Sequence, residues 1–255
     1  MSLLTAKSVT LVNGRKTVCQ HLDFSLERGE IWGVLGANGI GKTTFLHTLG
    51  GLRNPDSGEV WLHERLVSHY DRKSLAAITG ILFQDSQDTF PATVLETVLM
   101  GRYPHLSFWA WETAADVRLC MDALEQVSLA AMADRQINTL SGGERRRLAM
   151  ATLLVQQPVI WLLDEPTNHL DMHHQIVLLE MMVQQAMHHQ GGMVMVLQDV
   201  NLVPRFCTHA LLMVNADQRI SGPVTEVMTT ANLQLLYQHT IKEVRQDGVR
   251  FFYPA

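Results

Sequence analysis

No run of about 18 apolar residues occurs in the chain, so the sequence offers no segment able to cross a bilayer as a helix. The most apolar runs, Val159 to Leu163 and Met193 to Leu197, have only the length of buried strands. Cysteine is scarce: Cys19, Cys120 and Cys207 are far apart, and none belongs to a Cys-x-x-Cys pair. That argues against a disulfide framework or a zinc site and fits reduced, buried thiols in a cytosolic protein. Basic excess is missing as well. The chain has 20 Lys and Arg against 25 Asp and Glu, a net charge of −5, which argues against a general nucleic-acid binder. Met1 to Val12 holds no apolar core of leader length, so no signal peptide is expected. No low-complexity tract, linker or internal repeat stands out.

What is present describes a folded α/β protein. Apolar residues make up 47% and charged residues 18%, which excludes wholesale disorder, and 255 residues suffice for one large domain with an insert. Ser8 to Val12 alternates, Asn13-Gly14 reads as a turn, and Thr17 to Leu26 reads as the returning strands. Glu30 to Leu35 predicts a short strand running into glycines, with a helix from Phe45 to Leu49 beyond them. A turn at Asn54 to Gly58 precedes a strand at Val60 to Leu62. From Val94 to Leu154 the apolar spacing is helical, as in Val117, Met121, Leu124 and Val127. Strands return at the two apolar runs, so a mostly parallel sheet is expected. Thr229 to Tyr237 reads as a helix, and Phe251-Phe252-Tyr253 as a late strand or packing hook. Twelve histidines include the pairs His173-His174 and His188-His189. Neighbours on a helix diverge and further ligands are wanting, so no metal site is expected there.

Gly36-Ala37-Asn38-Gly39-Ile40-Gly41-Lys42-Thr43 satisfies G-x-x-x-x-G-K-[ST], between a predicted strand and a predicted helix. Glycines let backbone N–H groups curl around phosphate oxygens, and the helix presents its positive end. Lys42 is expected to reach the β- and γ-phosphates and Thr43 to ligate Mg²⁺, with Thr44 completing the loop. The run Val159 to Leu163 then ends in Asp164-Glu165, where parallel sheets bind ligands. Asp164 is placed to hold Mg²⁺ and Glu165 to polarise an attacking water, their side chains diverging as successive strand residues do.

Leu140-Ser141-Gly142-Gly143-Glu144 stands before a helix from Arg145 to Leu154. Ser141 suits an N-cap, and two permissive glycines aim the helix start at an anion. Taken in order with the phosphate loop and Asp164-Glu165, these residues make nearly the whole chain resemble an ABC ATPase. The fold this implies is an α/β P-loop NTPase core with a mostly parallel sheet, an N-terminal antiparallel β subdomain and an inserted α-helical subdomain. Residues 1–87 and 156–255 would form the β subdomain and RecA-like core, and 88–155 the helical subdomain. The resemblance further implies a head-to-tail homodimer, in which Ser141, Gly142, Gly143 and Glu144 of one subunit cover ATP on the other. Gln84 matches the Q-loop that touches Mg²⁺ and senses the γ-phosphate. Asn168-His169-Leu170-Asp171 resembles the D-loop, with Asp171 at the dimer interface. The run Arg145-Arg146-Arg147 reads as a solvated helix face and not as a nucleic-acid patch.

Phe90 to Val94, Met100 to His105, Leu235 to Tyr237 and Phe251 to Pro254 resemble ATPases of metal-chelate importers, which carry iron–siderophores, haem or cobalamin. The implied partners are integral membrane permease subunits and, indirectly, an extracytoplasmic substrate-binding protein, with the chain held peripherally on the cytoplasmic face of the inner membrane. Phe108-Trp109-Ala110-Trp111 either packs the helical subdomain or receives a permease helix. The competing reading is a soluble ABC ATPase of translation or DNA repair. Such relatives usually carry two cassettes or a long coiled-coil insert, and this chain has neither. A non-catalytic ATP-gated scaffold is a further reading, which the presence of Glu165 opposes.

Two departures from the resemblance stand out. Gln198 occupies the place of a usual His that contacts the γ-phosphate. An amide still donates a hydrogen bond but carries no proton or charge. Paired with Glu165 as a catalytic residue, Gln198 is expected to keep the contact while slowing hydrolysis. Gln198→His should therefore raise ATP turnover, and an unchanged or lower rate would remove this expectation. The second departure is at Val12-Asn13-Gly14, where many members stack adenine on an aromatic; here the first aromatic is Phe24. Competition titration should find ATP and GTP bound with comparable affinity, and a strong preference for ATP would contradict the loss of stacking.

Overall fold

The computed structural model describes residues 2–14, 16–84, 91–107, 111–188, 190–246 and 248–255. Phe90, Phe108-Trp109-Ala110 and His189, which figured in the sequence reading, lie outside these described residues. The alternating N-terminal sequence forms the antiparallel hairpin β1 (Ser2–Asn13) and β2 (Lys16–Glu27). Next come β3 (Ile31–Gly36), α1 (Lys42–Leu49), β4 (Ser57–Leu62) and β5 (Arg65–Leu66). α2 (Arg72–Ile78) and β6 (Thr79–Leu82) lead to the helices α3 (Val94–Leu99), α4 (Ala114–Gln126) and α5 (Gly142–Gln156). β7 (Ile160–Asp164), α6 (Met172–His188) and β8 (Gly192–Val196) follow, then α7 (Leu202–Phe206), β9 (His209–Met213) and β10 (Arg219–Pro223). α8 (Val224–Val227), α9 (Thr230–Tyr237) and the hairpin β11 (Ile241–Gln246) and β12 (Val249–Pro254) close the chain.

Among the described residues the largest sheet has the order β10-β9-β3-β8-β7-β6. All its pairings are parallel except that of the edge strand β10. Its central strands β3, β7 and β8 are apolar and buried along nearly their whole length because both faces are covered. Trp161, Leu163, Met193 and Met195 point into a core shared with α3 to α9, whereas Leu162, Val194 and Val196 point into a second core beneath β1, β2 and α1. The smaller sheet, β2-β1-β4-β5, is antiparallel and lies over that second core. No helix among the described residues is long and apolar enough to cross a membrane.

Capping boxes fix the starts of three helices: Thr93 with Glu96, Thr113 with Asp116, and Ser141 with Glu144. Asp116 also accepts from Arg102 Nε at 2.9 Å, and Arg102 donates on to Val155 O, tying α4 to the end of α5. Hydrogen bonds from Thr113 first, and Arg102 next, bring the Asp116 carboxyl down to about 2.

The structure adjusts the sequence reading in several places. α1 begins at Lys42 and not at Phe45, so the loop lysine and threonine belong to its first turn. α2 and β6, which carry no strong periodicity, escape the sequence reading. Phe251-Phe252-Tyr253 forms a strand, and Asn201 hooks it through bonds to Phe252 O and from Phe252 N at 3.2 and 2.7 Å.

Candidate active site

Four adjacent parallel strands, β3, β8, β7 and β6, point the same way, and each delivers one part of the site just beyond its C-terminal end. β3 runs into the glycine loop, β8 toward Gln198, β7 into Asp164 and Glu165, and β6 toward Gln84. A cleft of about 260 Å³ is lined by Asn13, the loop from Asn38 to Thr44, Gln84, Glu165 and Gln198. Residues separated by up to 185 positions thus share one cavity.

Gly41 precedes the first helical residue with φ +103°, a left-handed backbone that L side chains rarely adopt. A Cβ there would also stand 1.8 Å from Val18 Cγ1 of β2. The loop therefore lies directly on the N-terminal sheet. Lys42 is buried, and its Nζ donates to Gly36 O at 2.7 Å and Ala37 O at 3.2 Å, so the ammonium is held across the loop. Burial pulls it below the ordinary lysine range, and the carboxylates of Glu165 and Asp164 oppose that shift.

Asp164 is fully buried, and neither carboxylate oxygen has a hydrogen-bond partner among the described residues. Burial raises its pKa above 3.8. The Thr43 hydroxyl lies near enough to offset part of the shift, without hydrogen-bond geometry. A buried, unpartnered carboxylate beside a threonine hydroxyl is the oxygen donor set a hard divalent cation takes, so the residues fit Mg²⁺. Gln84 and Thr43 both line the cleft.

Glu165 lies beyond the strand with φ +47°. Its divergence from Asp164 comes from this left-handed turn, and not from the strand alternation the sequence suggests. Its carboxylate accepts from Gln84 Nε2 at 3.2 Å and from Asn168 Nδ2. Asn168, read from sequence only as part of an interface loop, thus touches the candidate base itself. The turn T-N after D-E-P carries it back three residues, a proximity visible only once the turn is formed. Asn13 is likewise at the cleft rim, where Asp56 and Arg53 hold the neighbouring Val12 main chain.

Ser141, Gly142, Gly143 and Glu144 do not line this cleft. Ser141 N donates to Glu144 Oε2 at 2.7 Å and Glu144 N to Ser141 Oγ at 3.3 Å, which fixes the start of α5. A Cβ on Gly143 would stand 3.1 Å from His169 O, so this helix start abuts the chain's own 168–171 turn. Asp171 is exposed outside the cleft, accepting from His174 N at 2.9 Å and pairing with His174 Nδ1 at 2.7 Å.

The arginine run is not a solvated face. Arg146 is only 6% exposed and donates to the carbonyls of Phe83, Gln84, Asp164, Glu165 and Pro166. Arg145 reaches Asn138 O, and Arg147 reaches Val127 O and Ser128 O. The signal for Arg146 was its helical spacing from buried Met150 and Leu153, which puts it on the inward face.

Residues 19–168 match the family described as ABC transporter. The ferric enterobactin transport ATP-binding protein FepC of Escherichia coli is 33% identical over 234 residues, covering 92% of this chain and 86% of that protein. The hemin import ATP-binding protein HmuV of Bradyrhizobium diazoefficiens is 34% identical, covering 99% and 95%. A solved metal-chelate type ABC transporter in an inward-facing conformation is similar over 100% of this chain and 98% of its own, with a TM-score of 0.84 and 27% identity.

The unpartnered Asp164 generates a prediction. Its folded pKa lies above the unfolded value of 3.8. Its penalty on folding is therefore absent below that pH and develops as the pH rises through it. Asp164→Asn should raise the Tm of the nucleotide-free, metal-free protein at pH 7, by roughly 2–4 °C per kcal/mol relieved. The gain should vanish below about pH 3.8, and Mg²⁺-dependent ATP binding should be lost. Thermal melts across pH with a nucleotide titration check both parts.

Proposed function

The chain belongs to the ABC transporter family, and on that premise we propose that it is the ATP-hydrolysing subunit of a membrane importer that works as a head-to-tail homodimer. The observation that carries this is the division of motifs. One cleft gathers the phosphate loop, Gln84, Glu165 and Gln198, while the capped start of α5 at Ser141 lies outside it. A helix start with two glycines, outside its own cleft, suits phosphate on a second copy.

In this reading the amides of Gly36 to Thr44 surround the ATP phosphates, and Lys42 exchanges the Gly36 and Ala37 carbonyls for β- and γ-phosphate oxygens. Thr43 and Asp164 would hold Mg²⁺, with Gln84 beside them, and the ion would neutralise charge building on the phosphates. Glu165 orients a water whose oxygen bonds to the γ-phosphorus as the bond to the β–γ bridging oxygen breaks, releasing ADP and phosphate. Gln198 donates its amide hydrogen to the γ-phosphate. Ser141, Gly142 and Gly143 of the partner copy, with Glu144 holding the cap and Asp171 at the interface, close over the nucleotide, and hydrolysis loosens them.

Residues 88–155 form the helical subdomain in this reading, and its surface supports coupling to a permease. Glu96, Leu99, Met100, Tyr103, Leu106 and Glu112 line a groove of about 590 Å³ with an apolar floor and two carboxylates. Met100, Tyr103 and nearby Trp111 are 59%, 64% and 86% exposed. Such a groove fits a short amphipathic permease helix with basic residues at its margin, which would hold the chain on the cytoplasmic face of the membrane. The names of the relatives support an iron chelate or haem as cargo, delivered by an extracytoplasmic binding protein.

Affinity purification from gently solubilised native membranes should recover a polytopic permease in comparable amount. Recovery of ribosomal or DNA-repair proteins alone would overturn the importer. Glu165→Gln should keep ATP affinity and lower turnover at least about 100-fold, the scale on which general-base groups act. Equal rates in the two proteins would overturn hydrolysis as the function.

A further inference from the structure

Arg146 sits on the second turn of α5 and does not line the cleft. Its Nε donates to Pro166 O at 3.1 Å. Nη2 donates to Asp164 O and Glu165 O, both at 2.6 Å. Nη1 donates to Phe83 O and, at 3.4 Å, to Gln84 O. One buried guanidinium therefore joins three elements: the helix that starts at Ser141, the end of β6, and the turn after β7.

Two of the carbonyls it takes belong to Gln84 and Glu165, whose side chains line the cleft, and a third to the buried Asp164. Three successive carbonyls, 164 to 166, turn toward the same guanidinium, which extended strand geometry does not allow because successive groups alternate. The departure is made by Glu165 at φ +47°. The guanidinium is the group those carbonyls turn to, and charge-assisted bonds hold the backbone in that sparsely populated conformation. In front, Gln84 Nε2 donates to the Glu165 carboxylate at 3.2 Å. Behind, Arg146 fixes the main chain of both residues. The position of the Glu165 carboxylate is thus set from both sides.

We propose that Arg146 is a positioning residue for hydrolysis, linking the signature helix to the main chain beneath Gln84 and Glu165. The consequence for a pair of subunits rests on the head-to-tail reading above. Engagement of Ser141 to Gly143 by the partner's ATP is passed through α5 and Arg146 to the subunit's own base and its own Q-loop. A lysine cannot replace this link, because its ammonium is a single point and the five carbonyls need a planar fork with donors on three nitrogens.

The test uses the full chain with Arg146→Lys, which keeps the charge, and Arg146→Met, which keeps the length. Binding of a non-hydrolysable ATP analogue with Mg²⁺, steady-state turnover and amide hydrogen exchange are measured on each. The expected result is analogue affinity within about threefold of wild type in Arg146→Lys and kcat lower by at least tenfold. Exchange should be faster both around Gln84 and at 164–168, with the remainder of α5 unchanged. Wild-type kcat and exchange in both variants would overturn the proposal. So would affinity and kcat falling together while exchange rises across the whole core, which marks a general loss of stability. If the wild-type chain binds nucleotide without turnover, the ATPase reading fails separately, and the paired exchange change alone decides the role of Arg146.

Discussion

Ile31 to Val34 of β3 pair in parallel register with Met193 to Val196 of β8, and β7 pairs with β8 on its other side from Ile160 to Asp164. β6 continues the ladder, Leu82 standing opposite Leu163. The cleft hangs on these pairings. Neighbouring strands lie about 4.8 Å apart, so four strand ends in register bring loops from four regions of the chain within about 15 Å of one another. A slip of one residue in β7 would swap the faces of its side chains and carry Asp164 away from Thr43. The apolar runs on both faces prevent such a slip, since Trp161 and Leu163 belong to one core and Leu162 to the other.

On that frame the fold carries a local electrostatic cost. Two buried cations, Lys42 and Arg146, face two buried carboxylates, Asp164 and Glu165. The four differ in how they are satisfied. Lys42 and Arg146 donate to main-chain carbonyls, Glu165 accepts from two amides, and Asp164 accepts no hydrogen bond among the described residues. The group left unsatisfied is the one whose proposed partner is a metal ion. A site arranged this way is less stable by itself than when filled.

The loop geometry shows the same trade. Gly41 holds φ +103° against Val18, so the phosphate loop is shaped by the N-terminal sheet as well as by its own glycines. The strand that bears Val18 returns from the turn at Asn13, which reaches the cleft rim where a stacking aromatic is absent. The antiparallel sheet thus supports the glycine-loop end of the site and, through Asn13, lines it as well.

Much of this was legible in the residues. The glycine loop with Lys42 and Thr43, the strand ending in Asp164-Glu165 and the Ser141 cap each declare a local chemistry, because backbone geometry and capping depend on near neighbours. The spacing of apolar runs gave the alternation of strands and helices for the same reason. The strand order, the meeting of Gln84, Asn168 and Gln198 around Glu165, and the inward turn of Arg146 depend on contacts across tens of residues. Arg146 is the clearest case. Three consecutive arginines look alike as a string and differ only in the direction each leaves the helix. The sequence by itself determined which groups are candidates to bind and cleave a phosphate anhydride. The tertiary structure decided which of them share a cavity, because only sheet register and helix rotation bring residues distant in sequence within hydrogen-bond reach.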